Sequence, residues 1–303
     1  MDGQRGFLDV AVNRPIRVGL FLDAATYEME LRRRIWQLAD DAGFDHLWHD
    51  DHLLSLAGGR PLDQTVFDSW TMLAAVAEAT TRVRMGVLVT GNLYRNPGML
   101  AKMATTVDHI SGGRLEMGIG VGWAEPEFRS LGIPFPEAVP ERIERLDEAC
   151  EILKLLWTQD RTDFDGTYYQ LVDAISEPKP IQRPHPPIWI GAKGPKRSMR
   201  VVARHADLWN ASGARGLEAD VETSRILDEH CAAIGRDPTE IGRTVELEAD
   251  SVDAFCRLAE GYAAAGFSDF ILDATCSDPP RRVDEVAIPA MARIRQLTVG
   301  SIG

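Results

Sequence analysis

One pattern runs through the chain from residue 16 to residue 297: a short apolar run rich in branched side chains, then a longer segment whose apolar residues recur at helical spacing. Two parallel strands need a crossover between them, and a helix is the usual one, so this alternation points to a parallel sheet with helices packed outside it. The candidate strands are Ile16–Leu22, Phe44–Trp48, Val83–Val89, Arg114–Ile119, Pro187–Ile190, Leu208–Ala211, Thr244–Leu247 and Asp269–Leu272. The helices are read at Met29–Ala42, Ser69–Ala79, Pro97–His109, Glu141–Trp157, Lys196–His205, Glu218–Ile234, Val252–Ala265 and Val283–Leu297. Eight such units close into an α/β fold of the (β/α)₈ TIM-barrel type. Asn96-Pro97 reads as a cap before a first-turn proline, and Gly43 and Gly266 stand where a left-handed residue ends a helix.

A chain of 303 residues is long for an ordinary domain and normal for one barrel, so a single domain over residues 1–303 is expected. About the first 14 residues are expected to be flexible. The segments 124–139 and 160–187 are too long for simple turns and read as functional insertion loops. With 46 acidic against 33 basic residues the net charge is -13, spread without long blocks. Such a surface repels phosphate backbones and anionic headgroups, so neither nucleic acid nor a membrane surface is an expected partner. No apolar run reaches the ~20 residues of a membrane span, and Asp9 and Asn13 break any signal-peptide core, which gives the reading of a soluble cytoplasmic protein. Cys150, Cys231, Cys256 and Cys276 form no CxxC pair and read as free, largely buried thiols.

In a barrel the loops at the carboxyl ends of the strands build the active site. Asp23 follows the first strand, and His49-Asp50-Asp51-His52 follows the second. Two imidazoles and two carboxylates in a row can bind zinc or iron. Consecutive residues at a strand end point in alternate directions, however, so no metal is expected. Instead one histidine is expected to face the pocket and handle a proton; the bland alternative is a histidine satisfied at the strand end. The string Gly118, Gly120, Gly122 does not match GxGxxG, and it either lets a flat ring approach the backbone or only allows tight packing. The turn Gly191-Ala192-Lys193-Gly194-Pro195-Lys196-Arg197 joins a strand to a helix start, where backbone N–H groups and three cations form an anion cradle. The alternative is a helix start with solvated basic residues.

These motifs resemble the bacterial luciferase-like monooxygenase superfamily, and within it the branch of oxidoreductases dependent on coenzyme F420, a deazaflavin. The resemblance runs over residues 16–215 and is carried by Asp51-His52, Tyr94-Arg95-Asn96-Pro97, Ile110-Ser111-Gly112-Gly113-Arg114-Leu115 and Gly118-Ile119-Gly120-Val121-Gly122-Trp123. Leu156-Trp157, Asp165-Gly166-Thr167-Tyr168-Tyr169, Pro178-Lys179-Pro180 and Pro186-Pro187-Ile188-Trp189-Ile190-Gly191 complete it. It implies that His52 is the catalytic acid or base beside the reactive carbon of the cofactor. A non-proline cis peptide is implied at about Leu88-Val89, forming a bulge behind the ring. Asp51, Leu88, Val89, Thr90, Gly120, Val121 and Gly122 are the implied residues around the ring, and Gly191, Ala192, Lys193, Gly194, Lys196 and Arg197 those around its phosphate tail. Asp23, His49 and Trp123 are the candidates for touching the substrate.

Two departures bear on that substrate. Sugar-phosphate dehydrogenases of this branch carry a glutamate where this chain has Trp123 and a lysine where it has Ala214. A less charged organic substrate than glucose 6-phosphate is therefore expected, with Trp123 either offering it an apolar face or only packing its loop. The leading expectation is hydride transfer between F420 and a small organic molecule, with His52 moving the balancing proton. A monooxygenase using reduced FMN and oxygen, and a noncatalytic flavin-binding barrel, are the alternatives. The resemblance also implies a homodimer formed through the second and third outer helices.

Overall fold

The protein is described by a computed structural model over residues 14–23, 27–56 and 64–300; the expected flexible lead falls outside them except at its last residue. The eight barrel strands, in chain order, are Arg17–Phe21, His46–His49, Arg84–Val87, Leu115–Gly120, Ile188–Gly191, Leu208–Ala211, Gly242–Leu247 and Asp269–Asp273. Each pairs in parallel with the next, and the last returns to the first with Arg17 opposite Asp269 and Phe21 opposite Asp273. The sheet is thus closed, as the eightfold alternation predicts.

Only the third strand departs from its expected form. The run Val83–Val89 looks continuous in sequence, but pairing stops at Val87, the Leu88-Val89 peptide is cis, and a two-residue segment Thr90–Gly91 resumes pairing against Ile119 and Gly120. The resemblance places a cis bond at this step.

Strand alternation sorts the side chains into two layers. Val18, Leu20, Leu47, Met85, Val87, Met117, Ile190, Val245 and Leu272 point outward into the main core beneath the helices. Trp48, Leu88, Trp189, Leu208 and Ile271 point inward as a separate cluster, with Phe21 and Val89 at its edge. Glycine makes that interior possible. A Cβ at Gly19 would lie 1.9 Å from the His46 ring and one at Gly86 2.3 Å from the Trp48 ring, so small residues on the flanking strands let the second strand send large rings across the lumen. Trp48 and Trp189 then meet with centroids 4.6 Å apart. Toward the amino ends of the strands the lumen is charged but paired. Asp269 bonds Arg17 Nε at 2.7 Å and His46 Nε2 at 2.6 Å, while Glu116 accepts from Arg17, Arg84 and the Trp189 indole.

The surrounding helices are Met29–Ala42, Ser69–Ala79, Pro97–Ser111, Val139–Thr158, Arg197–His205, Leu217–Ala233 and Val252–Ala264. The Asn96 side chain caps Gly98 at 2.8 Å, and Gly43 and Gly266 have φ of 80° and 88°, as expected of those positions. The last expected helix is broken into Pro279–Arg282, a π turn at Val283–Ala287 and Ile288–Ile294. Pro289 has no N–H to continue the regular ladder. Both long insertions contain structure that composition hid: a short helix Glu125–Ser130, and a hairpin pairing Thr162–Asp165 with Gln170–Ala174. Among the described residues no helix is long and apolar enough to cross a membrane.

Candidate active site

The residues leaving the second strand diverge. His49 is fully buried: its Nδ1–H donates to the Leu22 carbonyl at 2.9 Å, and its Nε2 accepts from the Trp36 indole at 3.1 Å. Burial, aided by Arg32, pushes its pKa down to about 4, so it is a neutral strut between strand and helix. The structure does not bring His49 to the mouth, and the bland alternative holds for this histidine. Asp51 is also buried, and Arg95 grips it with two bonds of 2.6 and 3.2 Å while reaching Asp68 at 2.7 Å. Burial pushes the Asp51 carboxyl up to about 6 against the pull of Arg95. The carboxylate expected beside a cofactor is thus committed to an ion pair that fixes the loop.

His52 is the residue that faces the mouth. Its Nδ1 lies 3.2 Å from both carboxylate oxygens of Glu127, and the side chain keeps 26% of its surface exposed. Glu127 is fully buried and sits on the short helix hidden in the first insertion. It also accepts from the backbone N–H of Leu53 at 2.7 Å, that of Leu54 at 3.0 Å, and the Tyr94 hydroxyl. Burial alone would raise the Glu127 pKa, but these donors outweigh it and keep the group ionised. Burial alone would lower His52; the Glu127 bond, with the charges of Asp50, Glu127 and Asp23, raises it instead. With Nδ1–H held by Glu127, Nε2 has no partner among the described residues. Glu127 and Tyr94 were not singled out for roles from sequence, although Tyr94 belongs to a quoted motif.

Beside this unit lies the bulge of the third strand. Val89 turns its side chain over the fourth and fifth strands: a Cβ at Gly120 would stand 2.7 Å from it, and one at Gly191 3.1 Å. Gly118 is needed for a different reason, since its Cβ would lie 1.9 Å from the Val87 carbonyl oxygen. Gly118 and Gly120 therefore make room for the bulge. Thr90 is buried and accepts from the Trp70 indole at 2.7 Å, so its hydroxyl serves the helix Ser69–Ala79. Gly122, at φ 71°, turns the loop and gives its carbonyl to Arg142 at 2.8 Å, leaving the next residue outside. That residue, Trp123, is 65% exposed and meets His52 edge-on with centroids 5.4 Å apart.

Phe21, Val89, Gly191, Glu246 and Asp273 stand around the mouth, each partly exposed, so side chains do not fill it. Asp23 is buried, with its backbone N–H bonded to Thr275 Oγ1 at 3.1 Å. After the fifth strand, Lys193, Lys196 and Arg197 are exposed at the start of helix Arg197–His205, whose first turn no side chain caps. Arg215 holds the Lys193 carbonyl at 2.9 Å and shapes the turn. Just past the sixth strand, Ser212 Oγ is buried with no hydrogen-bond partner among the described residues. An apolar rim at Phe21 and Val89, a lone buried hydroxyl and an uncapped helix start with three cations suit a flat ring with an anionic tail.

Residues 10–280 match the luciferase-like monooxygenase family. An FMNH2-dependent dimethylsulfone monooxygenase from Pseudomonas putida is 30% identical over 261 residues, covering 84% of this chain and 70% of that protein. An F420-dependent glucose-6-phosphate dehydrogenase from Kineococcus radiotolerans is 34% identical over 212 residues, covering 69% of this chain but only 60% of the relative. Among solved structures, an F420-dependent secondary alcohol dehydrogenase in complex with an F420-acetone adduct has the same fold, with a TM-score of 0.81 over 93% of this chain and 100% of that one at 19% identity.

Proposed function

Because the chain belongs to the luciferase-like monooxygenase family, we propose that it is an oxidoreductase using F420 to reduce a C=C, C=N or C=O bond of a small organic substrate, or to run the reverse dehydrogenation. The observation that carries the reading is His52 at the open mouth, with one ring nitrogen held by a buried carboxylate and the other available. When bound, the deazaflavin would supply or accept the hydride.

The chain's own residues do the rest. Glu127, itself held by the Tyr94 hydroxyl, fixes the His52 ring and favours its charged form, so Nε2 can give or take the balancing proton. Leu88, Val89, Gly120, Val121 and Gly122 would line the ring, while Gly191, Ala192, Lys193, Gly194, Lys196 and Arg197 would hold the anionic tail. Asp51 and Thr90 act through Arg95 and Trp70, keeping the strand ends in place. Trp123 would cover the substrate with an apolar face, which with Ala214 supports a substrate other than a sugar phosphate.

A second reading, a monooxygenase using reduced FMN and oxygen, is supported by the dimethylsulfone monooxygenase relative. Titration with F420 and with FMN, followed by quenching of cofactor fluorescence, separates them. Binding of F420 and hydride transfer from its reduced form without oxygen uptake is the expected result; oxygen uptake with reduced FMN would replace it by the second reading. Binding of neither would remove both. We also propose a homodimer through the second and third outer helices, where Met99 and Ile110 are exposed. Light scattering that returned a mass near 33.5 kDa would overturn it.

A further inference from the structure

A carboxyl group with no part in the mechanism above stands across the mouth from His52. Glu246 is on the seventh strand, opposite Ile271 in the register, and Ile271 belongs to the inward-facing cluster. Its neighbours Val245 and Leu247 belong to the outer core, so alternation turns Glu246 into the lumen at its open end. No hydrogen bond or ion pair ties its carboxyl to any described residue, although only part of the residue reaches solvent. Buried carboxylates elsewhere in this barrel all have donors: Asp269 has Arg17 and His46, Glu116 has Arg17 and Arg84, and Glu127 has His52 and Tyr94. Glu246 alone among these is left without one, and Ser212 Oγ, also unpartnered, lies just before Gly213, which packs against the Glu246 carbonyl.

We propose that Glu246 is a specificity-determining residue: it donates a hydrogen bond to an uncharged oxygen or nitrogen acceptor of the substrate and so selects neutral molecules over anions. The inference rests on the reading of this mouth as the active site. Donation requires the protonated form, and the surroundings supply it. Burial pushes the Glu246 carboxyl up to about 8, and Asp273 on the eighth strand adds to the rise. Asp50 leaving the second strand and Glu248 beyond the seventh act in the same sense, while Lys193 after the fifth opposes them. Asp50 also acts on His52, which places both proton-bearing groups around one opening. A carboxylic acid kept neutral can donate to a carbonyl as a carboxylate cannot, and an anionic substrate would meet Asp50 and Asp273 as well.

Two measurements on the protein without cofactor test this. In the first, side-chain carboxyl resonances of 13C-labelled glutamate are followed against pH, with Glu246→Gln identifying the one signal that disappears. That signal should titrate near pH 8; titration with the ordinary glutamates would overturn the proposal. In the second, cyclohexanone and cyclohexanecarboxylate serve as probes in saturation-transfer NMR. Cyclohexanone should bind the wild type about tenfold more tightly than Glu246→Ala. Glu246→Gln, which keeps a donor, should stay within about threefold of wild type. Affinity should fall above pH 8 in the wild type and stay level in Glu246→Gln. Equal affinities in wild type and Glu246→Ala, preference for the carboxylate, or no binding of cyclohexanone would overturn the inference. Neither measurement uses a flavin, so a failed cofactor titration with an intact Glu246 signal would count against the proposed function alone.

Discussion

At the scale of the residue, the site is organised by one carboxylate that the sequence conceals. Removing the His52 imidazole with His52→Ala should lower turnover by about 10²–10⁴-fold, read from single-turnover kinetics; an unchanged rate would take the proton away from this residue. Glu127→Gln should move the His52-dependent limb of the pH–rate profile to lower pH, because the carboxylate is what offsets the burial of the imidazole. A limb that stayed in place would mean that Asp50 and Asp23 suffice. Glu246 gives a stability prediction of opposite sense. The folded chain retains a proton there that the unfolded chain loses above about pH 4.5, so stability falls between that point and about pH 8. Glu246→Gln should therefore melt higher than wild type at pH 9, with the advantage gone at pH 4. Residue types alone said only that one histidine of the cluster should face the pocket, and the likeness to a family singled out His52, since His49 ends the same strand as a buried strut. Glu127 was not legible, since it meets His52 only across 75 residues of chain and sits between prolines in what composition marks as a loop.

At the scale of the element, glycine positions record where other groups must pass. Gly118→Ala puts a Cβ 1.9 Å from a backbone oxygen, and backbone cannot swing aside as a side chain can. A loss of about 1–3 kcal/mol or more is expected from urea unfolding. Gly43→Ala meets nothing within 4 Å and contends only with a φ of 80°, so about 1 kcal/mol is expected; equal losses at both sites would contradict the packing argument. Strand positions were readable because branched runs mark them. The interruption of the third strand was not readable locally, since Arg82 to Thr90 carries an unbroken apolar run apart from Arg84. Only the likeness to a family pointed to Leu88-Val89. Pro289 did signal the break in the last helix, and the periodicity around it hid that signal.

At the scale of the whole molecule, closure depends on the meeting of the first and last strands, which no local pattern reveals. Asp269 holds that seam through Arg17 and His46 and is nearly inaccessible to water. Asp269→Ala leaves the Arg17 guanidinium and the His46 ring N–H without their buried partner and should cost about 3–5 kcal/mol by denaturant unfolding. The partners hold the Asp269 pKa below its ordinary value despite burial, so its contribution should persist at neutral pH and fade only as acid protonates the carboxyl. A variant that lost stability equally at pH 7 and in strong acid would contradict that. The paired indoles of Trp48 and Trp189, set above this charged layer, have a further consequence. They stop the barrel like a cork, so the cavity is a cul-de-sac with a single doorway. Anything the barrel takes up must therefore enter and leave by the carboxyl ends of its strands.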